Sequence, residues 1–320
     1  MLWARLVVLV GVALSVRAEE RFQLRGELIP PVDSAVVAIS GVNHPYQDQK
    51  QVAGAHFRFR RLPAGTYTIL VAHPEWGETR RTIAVNKAAA DERGRVEALV
   101  PIRRSSRERS RNLADRSTVS VRELQIPEEA LDLRKRSKAA LEKQNAGDAA
   151  GFLERAVELA PDFADAWNDL GVLANQRRDF ARAEQYFREA LDVEPDAFAP
   201  LVNLAGVLLA QRKLSEATRL NARAVSERPD DALANAQLGL CYFHLGEEGL
   251  ALKYLIEAKR LDPAHFTHPQ AFLAEIHTRN GRYPAAIREL EDLATRYPGT
   301  ETGERAQAAA EKLRRNVSER

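Results

Sequence analysis

The chain of 320 residues is short of most features that would assign it a chemistry. It has one cysteine, Cys241, which leaves no intramolecular disulfide and no CxxC-type zinc or iron–sulfur site. Its formal charge is +2, too small for a dedicated nucleic-acid binder. Its N-terminal apolar run covers only positions 6–14, and a membrane span needs about 20 such residues. The motifs G-x-S-x-G, HExxH, GxxxxGK[ST] and G-x-G-x-x-G are all missing. Carboxylates follow helix spacing and mostly alternate with Arg or Lys, as solvated faces do. Neither catalysis, a cofactor nor a metal is therefore expected. What remains is ordinary globular composition, 45% apolar and 29% charged. The length suits two or three domains.

Met1-Leu-Trp-Ala-Arg5 is a short basic start, residues 6–14 are apolar, and Val16-Arg17-Ala18 places small residues at both ends of a cleavage triplet. That is a secretory signal layout, with cleavage expected after Ala18. An uncleaved N-terminal anchor stays open as the other reading, because Arg17 sits awkwardly inside the triplet. No cysteine follows, so a lipoprotein is not expected. Cleavage would remove Arg5 and Arg17 and leave basic and acidic residues in balance. An electrostatic partner must then be recruited by a local patch. An oxidising compartment without a disulfide leaves stability to packing. The expected location is the periplasm or the medium, with no stable membrane insertion after cleavage.

Residues 19–102 alternate with period two. Phe57-x-Phe59 leads to Leu62, and Tyr67-x-Ile69-x-Val71 puts every second residue on one face. Further strands are expected over 22–29, 35–40, 79–85 and 95–102. Turn signals such as Pro30-Pro31, Pro63-Ala64-Gly65 and Arg93-Gly94 separate them. Short strands at this spacing suggest a sandwich. Gly65 is expected to take the positive φ of a tight turn. Tyr67 is expected to bury its ring and hydrogen-bond back across the corner. The segment Phe57-x-Phe59-x-x-Leu62-Pro63-Ala64-Gly65-x-Tyr67 resembles the carboxypeptidase regulatory-like (transthyretin-like, Cna-B-like) domain family. The resemblance implies an all-β, Ig-like/transthyretin-like sandwich of about seven strands. It also implies a non-catalytic spacer or accessory module, frequent in exported bacterial proteins, with no active-site residues to carry over. His44, His56 and His73 lack ligand spacing and read as surface or edge residues. Trp76 has two readings, a platform for a sugar or peptide and a cap on the sandwich end.

Composition changes over 103–126. Arg103, Arg104, Arg107, Arg109, Arg111, Arg116 and Arg122 face only Glu108, Asp115 and Glu123, with serines between them. This reads as a basic, solvated linker. It could be a plain hinge, a contact for anionic lipid or polysaccharide, or a strap resting weakly on the acidic region that follows. Val119-Ser-Val-Arg-Glu-Leu-Gln-Ile126 alternates again and suggests a short strand at the sandwich edge. Pro127-Glu128-Glu129 then suits a helix N-terminus.

Residues 127–320 repeat. Ala183, Ala217 and Ala251 are 34 apart, as are Ala190, Ala224 and Ala258. Pro161, Pro195, Pro229 and Pro263 keep the same step, and Pro298 follows one residue late. Together with Trp167, Leu170, Gly171 and Phe187 these positions resemble the tetratricopeptide repeat (TPR) family. The resemblance implies helix pairs near 127–163, 164–197, 198–231, 232–265 and 266–300, plus a capping helix over 302–315. Small residues let paired helices approach, large ones fill between pairs, and proline stops the second helix. Such pairs stack into an α-solenoid superhelix because one pair cannot bury its apolar side alone. Asn221 and Asn235 depart from the pattern, standing where a large apolar residue and an aromatic are usual.

The resemblance also implies a concave groove lined by the first helix of each pair. Its positions here are Asp165, Asn168, Val172 and Asn175, then Val202, Gly206 and Leu209, then Leu240 and Phe243. The groove turns from polar to apolar, which suits an extended or helical protein segment with apolar side chains. The lysine–asparagine carboxylate clamp of some family members is not reproduced. A groove filled by the chain's own linker or β-domain is the alternative. Cys241 reads as a small core residue. His265 and His268 lack a third ligand for zinc. Asn316-Val317-Ser318 matches a glycosylation sequon. The leading expectation is a non-catalytic exported scaffold that holds a partner protein of the same envelope. The alternative is an envelope glycan or surface-ligand binder acting through the β-sandwich and basic linker.

Overall fold

The computed structural model describes residues 21–42, 46–73, 77–102 and 126–319. It consists of a mostly antiparallel β-sheet followed by an α-solenoid of paired helices. The signal-like residues 1–18, His44, Trp76 and nearly all of the arginine-rich stretch with its expected strand lie outside the described residues.

The strands are β1 (Phe22–Gly41), β2 (Gln47–Leu62), β3 (Gly65–His73), β4 (Gly77–Val85) and β5 (Arg95–Pro101). Their order is β2-β1-β3-β4, and β5 pairs β1 in parallel. β1 is continuous where two strands were expected. Its first half pairs with β2 and β5, its second half with β2 and β3. Pro30 and Pro31 have no N–H to give a ladder. The β1–β2 register skips there, from Glu27 opposite His56 to Val32 opposite Gly54. Both halves feed one buried cluster, with Leu24, Leu28, Phe59 and Val100 from the first and Val37, Ile39, Tyr67 and Val71 from the second.

Tyr67 is fully buried, and its hydroxyl donates to the Pro63 carbonyl at 2.7 Å. The turn before it differs from expectation at one residue. Gly65 already belongs to β3, opposite Val85. The left-handed backbone falls on Arg61, φ 60°. The cause is a bulge: Phe22 faces Leu62 and Gln23 faces Arg60, so Arg61 is the extra residue.

The helices are α1 (Glu128–Glu142), α2 (Ala146–Leu159), α3 (Ala164–Gln176), α4 (Phe180–Val193), α5 (Phe198–Ala210) and α6 (Leu214–Glu227). They continue as α7 (Ala232–Leu245), α8 (Glu248–Leu261), α9 (Pro269–Arg279), α10 (Tyr283–Arg296) and α11 (Glu301–Ser318). The periodic alanines 183, 190, 217, 224, 251 and 258 have no exposed surface. Each marks where a second helix meets a first one closely. Gly171 shows how closely: a Cβ there would stand 2.5 Å from the Phe187 ring. The sequon residues 316–318 lie at the end of α11, inside the helix.

Two repeating devices escape a reading based on apolar periodicity. Each turn between paired helices holds one left-handed residue: Gln144, Arg178, Arg212, Gly246 and Gly281. Only the last two are glycine. Each loop between successive pairs exposes a proline carbonyl, and each such carbonyl finds a side-chain donor. Trp167 Nε1 serves Pro161 at 2.8 Å, Arg223 serves Pro195 at 2.9 Å, Asn235 serves Pro229 at 2.9 Å and Gln270 serves Pro263 at 2.6 Å. Asn235 thus replaces an aromatic ring while keeping an N–H at the same place. Asn221 is buried, with its amide 3.8 Å from Cys241 Sγ.

β4 ends the sheet on one side, and an open edge invites foreign pairing. Here the solenoid covers it. The Thr82 amide donates to the Asp262 carboxylate at 3.0 Å, and Arg80 lies 3.4 Å from Asp231. Asn86 Nδ2 donates to the Pro298 carbonyl at 3.1 Å, and Ala84 packs with Leu293, Tyr297 and Ala306. Asp231, Asp262 and Pro298 sit on three successive loops between helix pairs. The β-domain is therefore seated on the loop edge of the last repeats.

Candidate functional site

The nine groove positions fall on α3, α5 and α7, the first helices of three consecutive pairs. The polar end is internally engaged. Asp165 is exposed and bound by Arg134 of α1, which also holds Asp169 at 2.8 Å. Asn168 accepts from Asn203 of α5 at 3.0 Å, so the amides bridge two pairs. Asn175 is exposed, and Val172 is half-buried against the core around Phe187.

Val202 stands differently from expectation. It is 2% exposed and part of the core that joins α5 to its neighbours. α5 is apolar on nearly every side, FAPLVNLAGVLLA, so periodicity could not tell its groove side from its packing side. Gly206 is half-buried, with the Gln237 side chain of α7 over its α-carbon. Leu209 and Leu240 are half-buried and remain in reach of solvent.

Phe243 forms the apolar end. Its ring packs edge-on to Phe272 of α9, centroids 5.1 Å apart, with the Arg279 guanidinium 5.0 Å above it. Phe272 and Arg279 were not among the residues expected. Both come from the next pair, and only stacking brings them to Phe243. Cation–π contact of this kind helps to hold a flat ring in place.

The α8–α9 loop concentrates the buried titratable groups. His265 is buried, its Nδ1 lies 2.8 Å from Thr267 Oγ1, and burial, with His268 and Arg80 nearby, pushes its pKa down to about 3. His268, backbone φ 52°, places its ring edge-on to Tyr297 at 4.6 Å, and burial lowers its pKa too. Burial holds the Asp262 carboxyl above the usual range, against the pull of Thr82 and Arg81. Tyr297 donates to the Ala264 carbonyl at 2.5 Å. These groups fasten the loop under β4. The described residues contain no group of three or more His, Cys, Asp or Glu placed to hold a metal. The Cys241 thiol is buried and its pKa is raised by that burial.

A cavity of about 270 Å³ opens elsewhere, over Leu201 and Leu204 and between α4 and α6. Its rim includes Arg188 and Arg223, which are tied to Glu216, Glu184, Asp196 and Glu227. None of the nine groove residues lines it.

Comparison with known proteins gives a located match in the helical half. The family model described as the middle TPR-like domain of cilia and flagella-associated protein 70 matches residues 137–262. Among curated proteins, a BBSome complex member BBS4 homolog of Drosophila melanogaster is 28% identical over 101 residues, 31% of this chain and 21% of its own length. Protein FlbA of Caulobacter vibrioides is 29% identical over 167 residues, 48% of this chain and 28% of its own length. The chain thus spans less than a third of either relative. Among solved structures, MamA (41-end) of Desulfovibrio magneticus RS-1 is 19% identical with TM-score 0.48, covering 60% of this chain and 98% of that one. PilF of Pseudomonas aeruginosa is 19% identical with TM-score 0.49, covering 61% and 93%. Across residues 137–262 the helical region is thus similar to a TPR-like domain.

Proposed function

We propose that this chain is a non-catalytic, exported scaffold that holds a segment of a partner protein along the first helices of its TPR-like array. The partner is an envelope protein, and the site of action is the periplasm. The β-domain serves as a carboxypeptidase regulatory-like accessory module that braces the array. One observation carries the reading: Leu209, Leu240, Phe243 and Phe272 are all only partly buried and lie on the first helices of three successive pairs. Seating the β-domain on the loop edge gives those loops a neighbour without using Leu209 or Phe243. An amphipathic helix or an extended apolar segment suits such a surface.

The test is capture of partners with the wild-type chain, with Leu209→Glu and with Phe243→Glu. Both variants should lose the same partner while keeping the wild-type helical signal. Recovery of an identical set by all three would refute the groove.

A further inference from the structure

The first half of β1, the second half of β2 and all of β5 form a three-stranded layer. Its inner side chains, among them Leu24, Phe59 and Val100, are buried. Its outer side chains are arranged in rows by the register. Arg25 stands directly opposite Arg58, and Gln23 opposite Arg60. Arg61 is pushed out beside them by the bulge and is exposed. Arg25, Arg58 and Arg60 are exposed as well, and the side chains of these four arginines make no hydrogen bond or ion pair with any described residue. Like charges directly opposite across a strand pair weaken the sheet. Two acids share the face: Glu97 stands directly opposite Arg25 across the β1–β5 pair, and Glu27 stands between Leu99 and His56. Arg95 is already taken by Asp91 at 2.6 Å.

The same face carries exposed aliphatic side chains. Leu99, 60% exposed, lies opposite Glu27, and Ile29, 46% exposed, lies opposite Pro101. Leu99 is the most exposed large apolar side chain among the described residues. We propose that this face docks on an anionic lipid bilayer, with the arginines against phosphate headgroups and Leu99 and Ile29 dipping into the acyl boundary. A soluble acidic polymer would use the arginines but would leave two bulky aliphatic groups in water. A bilayer surface satisfies both. No helix among the described residues is long and apolar enough to cross a membrane.

The experiment is vesicle co-sedimentation of the full chain, with lipid of pure phosphatidylcholine or with about one third phosphatidylglycerol. Every sample carries the same residues 1–18 and 103–125, so differences between variants report the sheet face. The wild type should sediment with the anionic vesicles and much less with the neutral ones. Arg25→Gln combined with Arg58→Gln should lower partition about 25-fold, from about fivefold per arginine. The pair removes the Arg25–Arg58 repulsion together with the attraction of Arg25 to Glu97, so this variant should melt close to the wild type. Leu99→Ser should weaken binding while leaving its salt dependence unchanged. Equal sedimentation of wild type and double variant would overturn the proposal, as would equal binding to both vesicle types. So would loss of heparin binding in the double variant with vesicle binding intact, which would mark a site for an acidic polymer.

Discussion

In the sheet, Leu24, Phe59 and Tyr67 disappear into a core to which all five strands contribute. In the array, the tightest contacts are made by small residues, Ala183, Ala217 and Ala251 among them, and the large side chains are divided among several clusters. The difference lies in how each half closes. A strand layer closes only when distant segments meet, so its core is indivisible. A helix pair closes on its neighbour, so stability is nearly a sum of local units and interfaces. A partner surface built on the array can therefore be altered pair by pair, whereas the sheet stands or falls together.

The largest expected effect breaks or sharpens this contrast. Phe59→Ala and Phe187→Ala should each cost about 3–5 kcal/mol. Hydrogen exchange should show the first losing protection through all five strands. The second should lose it in α3 to α5 while α9 to α11 stay protected. If Phe187→Ala opens the whole array at once, the additive picture is wrong.

The loop that joins the halves should respond to acid. His265 has a folded-state pKa of about 3 against an ordinary 6.5. Below pH 6.5 the unfolded chain binds a proton that the folded chain refuses. Stability should fall as pH drops through that window, by up to about 1.4 kcal/mol per unit. Melting of His265→Gln followed from neutral to acid pH should show a shallower decline. Asp262 works the other way. Its raised pKa means that the folded chain keeps a proton the unfolded chain has lost, so its contribution shrinks as pH rises through the carboxylate range. Asp262→Asn retains an acceptor for the Thr82 amide and should remove this loss. Asp262→Ala orphans that amide and should cost about 1–3 kcal/mol. Exchange at β4 should rise in the alanine variant and not in the asparagine one.

The smallest effect lies in the turns. Arg178 occupies a left-handed position that its counterpart Gly246, φ 81°, fills without a Cβ penalty. Arg178→Gly should raise stability by about 0.5–1 kcal/mol, and Gly246→Ala should lower it by a similar amount. Thermal melts of the two variants moving in the same direction would contradict the shared backbone role.

The same contrast decides what could be read in advance. The array was legible because its contacts recur in phase: a step of 34 exposes Ala183, Ala217 and Ala251 without any knowledge of three dimensions. The tyrosine corner was legible because Pro63 and Tyr67 are neighbours. The bulge at Arg61 was not, since it depends on the register against β1. The seating of β4 was not either, because Thr82 and Asp262 are far apart in the chain and share no pattern. Among the groove residues, Val202 misled because α5 is apolar on nearly every side. Phe272 and Arg279 were missed because they reach Phe243 only through stacking of the next pair.

The central claim is that the first-helix face receives a partner. Photo-crosslinking side chains placed singly at Asn175, Leu209 and Phe243, and at the exposed second-helix residues Leu159 and Ile256, test it in the cells that make the protein. Adducts with one common partner at the first three positions and none at the last two are the predicted result. Adducts spread evenly over all five, or confined to Leu159 and Ile256, would contradict the account.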